Sequence, residues 1–165
     1  MYERRTGAIE DNLPVFQISQ DSARYAGVEI EASKRLVQVG QYVINIDGVA
    51  DYIRATIKNV GPAPRIPPLR LLAGLEAQAD RLQGRLEVER VFGQNRTAVG
   101  ETATAGYTMI NASAVFKPFR TMSNTTITLS ANNILDVDAR RHASFLKDFA
   151  PLAGRDIRVT GRVTF

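Results

Sequence analysis

"IRVTGRVTF", residues 157–165, alternates without a break. Ile157, Val159, Gly161, Val163 and Phe165 are apolar or small, whereas Arg158, Thr160, Arg162 and Thr164 are polar. Positions two apart share one face of an extended chain but lie on opposite sides of a 3.6-residue helix, so the pattern specifies a strand with one greasy and one wet face. What each face meets decides the fold.

The same rhythm recurs upstream. In TTITLSANNILD, Thr125, Ile127, Leu129 and Ala131 oppose Thr126, Thr128, Ser130 and Asn132. In GYTMINASAVFKPF, Ile110, Ala112, Ala114 and Phe116 oppose Asn111, Ser113 and Lys117. QYVINIDGVADY sets Tyr42, Ile44, Ile46, Gly48 and Ala50 against Asn45, Asp47 and Asp51, and RYAGVEIEAS sets Ala26, Val28, Ile30 and Ala32 against Glu29, Glu31 and Ser33. Each stretch runs about ten residues, the length with which a tilted strand crosses a bilayer. Compact connections, KPFRTMSN and QADRLQ, alternate with long ones, FGQNRTAVGETATAG and ARRHASFLKDFAPLAG.

One stretch supports two assignments. In LLAGLEAQADRLQGRLEVERV, Leu72, Leu75, Ala79, Leu82 and Leu86 follow helical spacing, and the composition favours helix. As a hairpin, Leu69, Leu71, Ala73, Leu75 and Ala77 share a face, the chain turns at Ala79 to Leu82, and Gly84, Leu86 and Val88 continue opposite Arg85, Glu87 and Glu89. The alternating neighbours favour the hairpin, because a lone helix would interrupt their series. The prolines of GPAPRIPPLR stiffen a loop and leave the chain free to pair from Leu69 onward.

A chain of 165 residues suffices for one domain with a core. The absence of cysteine excludes a disulfide framework and a thiolate metal site, and a single histidine excludes a multi-histidine cage within this chain. The net charge of +4 comes from scattered arginines without a binding motif, so no nucleic-acid partner is expected. MYERRTGAIEDN has no apolar signal-peptide core, and no apolar run approaches the roughly 18 to 20 residues of a transmembrane helix. If the chain enters a membrane, it does so as a barrel.

Seven such strands suit either a soluble barrel or sandwich, greasy face inward, or a membrane barrel, greasy face toward lipid. The second fits better. The wet faces are dense in Glu, Asp, Asn, Arg and Thr, as a lumen requires, and the greasy faces hold many Ala and Gly that fill a soluble core poorly. Arginine facing lipid near the midplane costs roughly 2 to 4 kcal/mol, and the strand phases keep nearly all charge off that face.

The blocks PRIPPLR, RVFGQNRTAVGETATAGYTMINASAVFKP, LSANNILD, RRHASFLKDFAPLAGR and VTF, in that order, resemble the C-terminal third of TonB-dependent outer-membrane receptors. The resemblance is closest to the branch that includes zinc-uptake receptors. TGAIEDNLPVFQISQDSARYAGVEIEA is similar to the same branch, so the resemblance covers essentially the whole chain. It implies an all-β fold: an antiparallel up-and-down meander of about seven strands, the C-terminal part of a 22-stranded transmembrane β-barrel in a Gram-negative outer membrane. Residues 1–165 would be a partial barrel, with the plug domain and earlier strands absent and an extracellular arm from about Leu13 to Gln20.

The implied function is uptake of a metal ion or metal chelate (zinc, a siderophore or haem, with zinc ahead), by a receptor of which this segment alone is transport-incompetent. The open edges of seven strands leave backbone groups unpaired in hydrocarbon at several kcal/mol apiece. The implied partners are outer-membrane lipid, the barrel-assembly machinery, the metal substrate, and TonB only through the missing plug. No cofactor and no enzymatic activity are expected. Val159, Gly161, Val163 and the terminal aromatic Phe165 resemble the signal by which the assembly machinery recognises a final strand. A soluble ligand-binding β-barrel and a passive porin-type barrel are the alternatives.

Candidate extracellular ligand contacts are His142, Asp148 and Glu101, with His142 the candidate metal ligand beside Asp138 or Asp148. A single imidazole is a weak ligand set, so a loop histidine that hydrogen-bonds the neighbouring rim is the favoured reading of His142. Ser144 with His142 lacks an orienting third group for nucleophilic catalysis. Glu29, Glu31, Asp47, Glu76, Glu87 and Glu89 on the wet face, near Arg70, Arg85, Arg158 and Arg162, point to cross-strand charge pairing. Tyr42, Tyr107, Phe116 and Phe119 are placed as an interfacial aromatic girdle.

Overall fold

The computed structural model describes residues 2–119 and 125–164; Phe165, the terminal aromatic of the assembly signal, lies outside them. Among the described residues every regular element is a strand: β1 Tyr2–Glu10, β2 Leu13–Ser19, β3 Ala23–Val39, β4 Tyr42–Ile57, β5 Gly61–Pro62, β6 Arg70–Gln78, β7 Leu82–Val91, β8 Tyr107–Phe116, β9 Thr125–Asn132 and β10 Asp156–Val163. β1 and β2 pair as a hairpin of their own, so the expected arm at Leu13 is half of a two-stranded ribbon. Seven long strands then form one sheet in sequence order, β3-β4-β6-β7-β8-β9-β10, each antiparallel to the next, with the short β5 pairing the end of β4.

The ambiguous leucine-rich stretch is a hairpin, β6 to β7, with Leu75 opposite Leu86 and Ala73 opposite Val88. Its helical spacing is coincidental. Leu72 faces the other way, opposite Val49 and Glu89, so the five residues never form one stripe.

The registers carry one greasy face across the whole sheet. Ile46 pairs Leu75, Leu75 pairs Leu86, Leu86 pairs Ala112, Ala112 pairs Ala131 and Ala131 pairs Ile157. On β3 a bulge at Leu36 separates Arg35, opposite Asn45, from Val37, opposite Ile44. That extra residue puts Val37 and Val39 on the greasy face with Ile30 and Ala32, although their numbers have the opposite parity.

None of the described residues covers this face. Leu129 is 47% exposed and Val159 70%, and Leu75, Leu86, Ile127 and Val163 are likewise open. The buried apolar cluster, Ala55, Ile57, Ala63 and Ile66, sits at the far end of β4 against the 58–69 connection. A soluble barrel would turn the greasy face inward; here the apolar face and the core are different places.

The connections divide by end. Gly40–Gln41 and Ala79–Arg81 are tight turns at one end, and Gly40 takes the left-handed backbone (φ 58°) that its turn requires. The 58–69, 92–106 and 133–155 connections gather at the other. The aromatic girdle needs one correction. Tyr42 and Phe116 lie on the greasy face near the tight-turn end, but Tyr107 points to the wet face opposite Val91 and is buried. Its odd number on β8 fixes that, since the outward residues there are Ile110, Ala112, Ala114 and Phe116.

Candidate functional site

The wet face is organised around two arginines. Arg85 on β7 donates a two-pronged pair of bonds to Asp47 on β4, Nη1 to Oδ1 at 2.5 Å and Nη2 to Oδ2 at 2.8 Å, and Nη2 also reaches Glu87 at 3.2 Å. Arg70 on β6 donates to Asp51 at 2.7 Å and to Glu89 at 3.4 Å. Asp47 and Arg85 lie two strands apart with β6 between them, and the gap closes because residue 74 of β6 is glycine. A Cβ there would run into the Arg85 guanidinium. Gly74→Ala is therefore expected to expel Arg85 from the Asp47 fork. Losing a forked, charge-assisted pair of partial exposure costs about 1–2 kcal/mol, read as a lower unfolding midpoint that Arg85→Ala in the same background does not lower further.

The chain continues from this network into a loop. Asn111 on β8 donates to Glu87 at 3.3 Å, and its Oδ1 accepts the Asn133 backbone N–H at 2.9 Å. Asn133, the first residue after β9, is 1% exposed with a left-handed φ of 48°. Its Nδ2 donates to Val137 O at 3.0 Å and Ala153 O at 3.1 Å, and its Oδ1 accepts from Val137 N at 2.9 Å. The Asn133 side chain thus ties the two ends of the 133–155 loop to each other, and its backbone N–H ties them to the sheet.

At the loop end, His142 and Glu101 meet. Glu101 Oε1 accepts from Arg65 N at 2.8 Å and Lys147 Nζ at 3.0 Å, and Oε2 accepts from Ala98 N at 3.0 Å. Lys147 Nζ also donates to Thr102 O at 2.7 Å and lies 3.4 Å from His142 Nδ1, which is 2.9 Å from Thr104 Oγ1. His142 Nε2 stands 3.3 Å from Glu101 Oε1, outside hydrogen-bonding alignment. The His142 side chain is 1% exposed, Glu101 9% and Lys147 6%. Asp148 joins at one remove, accepting from Thr102 Oγ1 at 2.5 Å, and is itself exposed. Asp138 turns away to Arg140 at 3.7 Å, and Ser144 Oγ accepts from Leu146 N.

Of the predicted contacts, then, His142 and Glu101 touch and Asp148 adjoins them, all clamping the 92–106 loop to the 133–155 loop. Sequence inspection missed Lys147, the cation that links them. Among the described residues no group of three His, Asp or Glu side chains is placed to hold a metal ion. Val159 and Val163 stand on the open greasy face of β10 with Gly161 between them.

Burial, reinforced by the Lys147 ammonium, pushes the His142 imidazole below its ordinary value, against the pull of Glu101 and Asp148. Burial raises Glu101, but the Ala98 and Arg65 amides and Lys147 outweigh it and hold the carboxyl below its ordinary range. The unfolded imidazole takes up a proton near pH 6.5 and the folded one only lower, so its contribution to stability is complete above 6.5 and is lost as pH falls through the folded value. Glu101 acts in the same direction further down, its contribution being present above 4.5 and lost below. Acidification from about pH 7 to 5 is expected to loosen the clamp. The protection of the Thr104 amide, donated to Gln94 O, relative to its intrinsic exchange rate at each pH, should fall across that range, and His142→Gln should flatten the upper part of the profile.

No family model matches the chain. Among solved structures it is similar to the copper transporter OprC, with a TM-score of 0.77 over 92% of this chain, at 21% identity. The chain has the fold of part of that transporter. It spans 25% of the OprC chain, about a quarter of its length. The likeness shows an all-β, antiparallel up-and-down sheet similar to part of that fold, as expected from the alternation. It gives the zinc branch no support.

Proposed function

We propose that this chain is the C-terminal barrel wall of a TonB-dependent outer-membrane receptor that takes up a metal ion or metal chelate. The observation that carries this is sidedness. A largely apolar face runs over seven strands with none of the described residues behind it, while the opposite face is polar and laced by Arg85 and Arg70. A lipid-facing wall around an aqueous lumen needs that arrangement.

In this reading the 22-stranded barrel is completed by other strands, and a plug that couples to TonB fills the lumen. The long connections lie outside the cell, and the β10 residues Val159, Gly161 and Val163 engage the assembly machinery. The cargo is a transition metal: the OprC likeness favours copper and the motif resemblance favours zinc, with siderophore and haem iron as chelated forms. The clamp at His142, Glu101 and Asp148 serves by holding the loops that meet the substrate.

Deleting the gene in its host and measuring accumulation of copper, zinc, ferric siderophore and haem under starvation for each tests the proposal. A selective deficit for one, restored by the intact gene, is expected. Unchanged accumulation of all four would overturn it.

A further inference from the structure

The greasy face is not uncharged to its edge. Arg24 on β3, Arg54 on β4 and Arg90 on β7 point to the same side as Val28, Tyr52 and Val88, all toward the long-loop end. Among the described strands of the large sheet, no Asp or Glu faces that way, and the other outward cation, Lys34, lies in the half of β3 nearer the tight turns. The wet face, by contrast, sets arginines against carboxylates.

One of them, Arg54, lines a recess. A cleft of about 220 Å³ opens between β4 and the start of the 92–106 loop, lined by Tyr52, Arg54, Pro68, Phe92 and Arg96 among others. Arg96 is anchored by bonds to Ala55 O at 2.8 Å and Thr56 Oγ1 at 2.7 Å, which aim its group without neutralising it. Arg54 meets no acceptor among the described residues and is exposed. Arg90 donates to Thr108 Oγ1 at 3.0 Å and stands over the Phe92 ring at 5.3 Å.

We propose that this rim is a binding site for the phosphate of an anionic membrane lipid, held between Arg54 and Arg96, with the lipid's chains lying down the apolar face below. The inference rests on the lipid-facing assignment of that face. Three observations select the occupant. The cleft is continuous with the apolar sheet, so a ligand with hydrocarbon on one side fits. Its charges are of one sign, with no internal carboxylate to satisfy them. The guanidinium fork and the aromatic floor suit a phosphate group beside an acyl or sugar moiety.

Native mass spectrometry of the detergent-solubilised protein, titrated with phosphatidylglycerol and separately with phosphatidylcholine, tests it. Tighter retention of phosphatidylglycerol, by about tenfold, is expected, and Arg54→Gln should abolish the difference while Arg54→Lys keeps most of it. Arg54 makes no internal bond, so its variants should keep the strand circular-dichroism signal; Arg96→Gln is a second variant acting on the same preference. Inorganic phosphate at millimolar concentration should not displace the lipid. Equal retention of both lipids by the unaltered protein, a preference unmoved by either Gln variant, or displacement by free phosphate overturns the lipid-phosphate site and leaves the barrel reading intact. Retention of neither lipid overturns the site in the same way.

Discussion

Asn133→Ala is expected to destabilise the long-loop end by about 3–5 kcal/mol. The substitution removes three side-chain bonds at once and leaves Val137 N, Val137 O and Ala153 O without their partner. Each group so stranded costs about 1–3 kcal/mol where water is kept out, which holds for half-buried Val137 more than for exposed Ala153, and an alanine in left-handed backbone adds about 1 kcal/mol. Asn133→Asp keeps the acceptor for Val137 N and the tolerance for left-handed φ but loses both donations, so it should fall between. Limited proteolysis reads the result, with cleavage within 133–155 rising steeply in Asn133→Ala while the β6–β7 hairpin stays resistant. An unchanged cleavage rate would show that the loop is held by something other than this amide.

Leu86→Arg should cost the membrane-folded protein about 2–4 kcal/mol, because Leu86 lies mid-strand on the apolar face between Leu75 and Ala112. A residue three further along β7 supplies the control. Glu89→Gln, on the opposite face, weakens only the 3.4 Å contact to Arg70 and should change stability by less than about 1 kcal/mol. Were the apolar face bathed in water, Leu86→Arg would fall within about 0.5 kcal/mol of the unaltered protein, as exposed surface changes do. Urea unfolding of the whole receptor in phospholipid vesicles measures both, and a Leu86→Arg midpoint equal to the unaltered one would defeat the lipid-facing assignment.

The strands were legible because period-two alternation is a local signal, repeated in β3, β4, β8, β9 and β10 with the phase each strand adopts. β6 and β7 were harder: their leucines also fit helical spacing, and only the partners on either side resolve them. The charge pairing was foreseen in kind, but the partners of Arg85 were not, since Asp47 is reached across an intervening strand through the space that Gly74 leaves. The loop clamp was half visible. His142 and Glu101 stood out as rare or acidic loop residues, whereas Lys147 and Thr104 carry no periodicity and meet only after two loops fold onto each other. Tyr107 was misplaced because an aromatic near a strand end suits a girdle on either face, and parity alone decides.

The extra residue at Leu36 gives the β3–β4 ribbon a length reserve. Removing one residue from a regular strand flips everything beyond it to the wrong solvent. Excising Leu36 instead leaves Arg35 opposite Asn45 and brings Val37 directly opposite Ile44, the partners both already have. A one-residue deletion should therefore be absorbed there, whereas excising Ile30 from the same strand should scramble the wall.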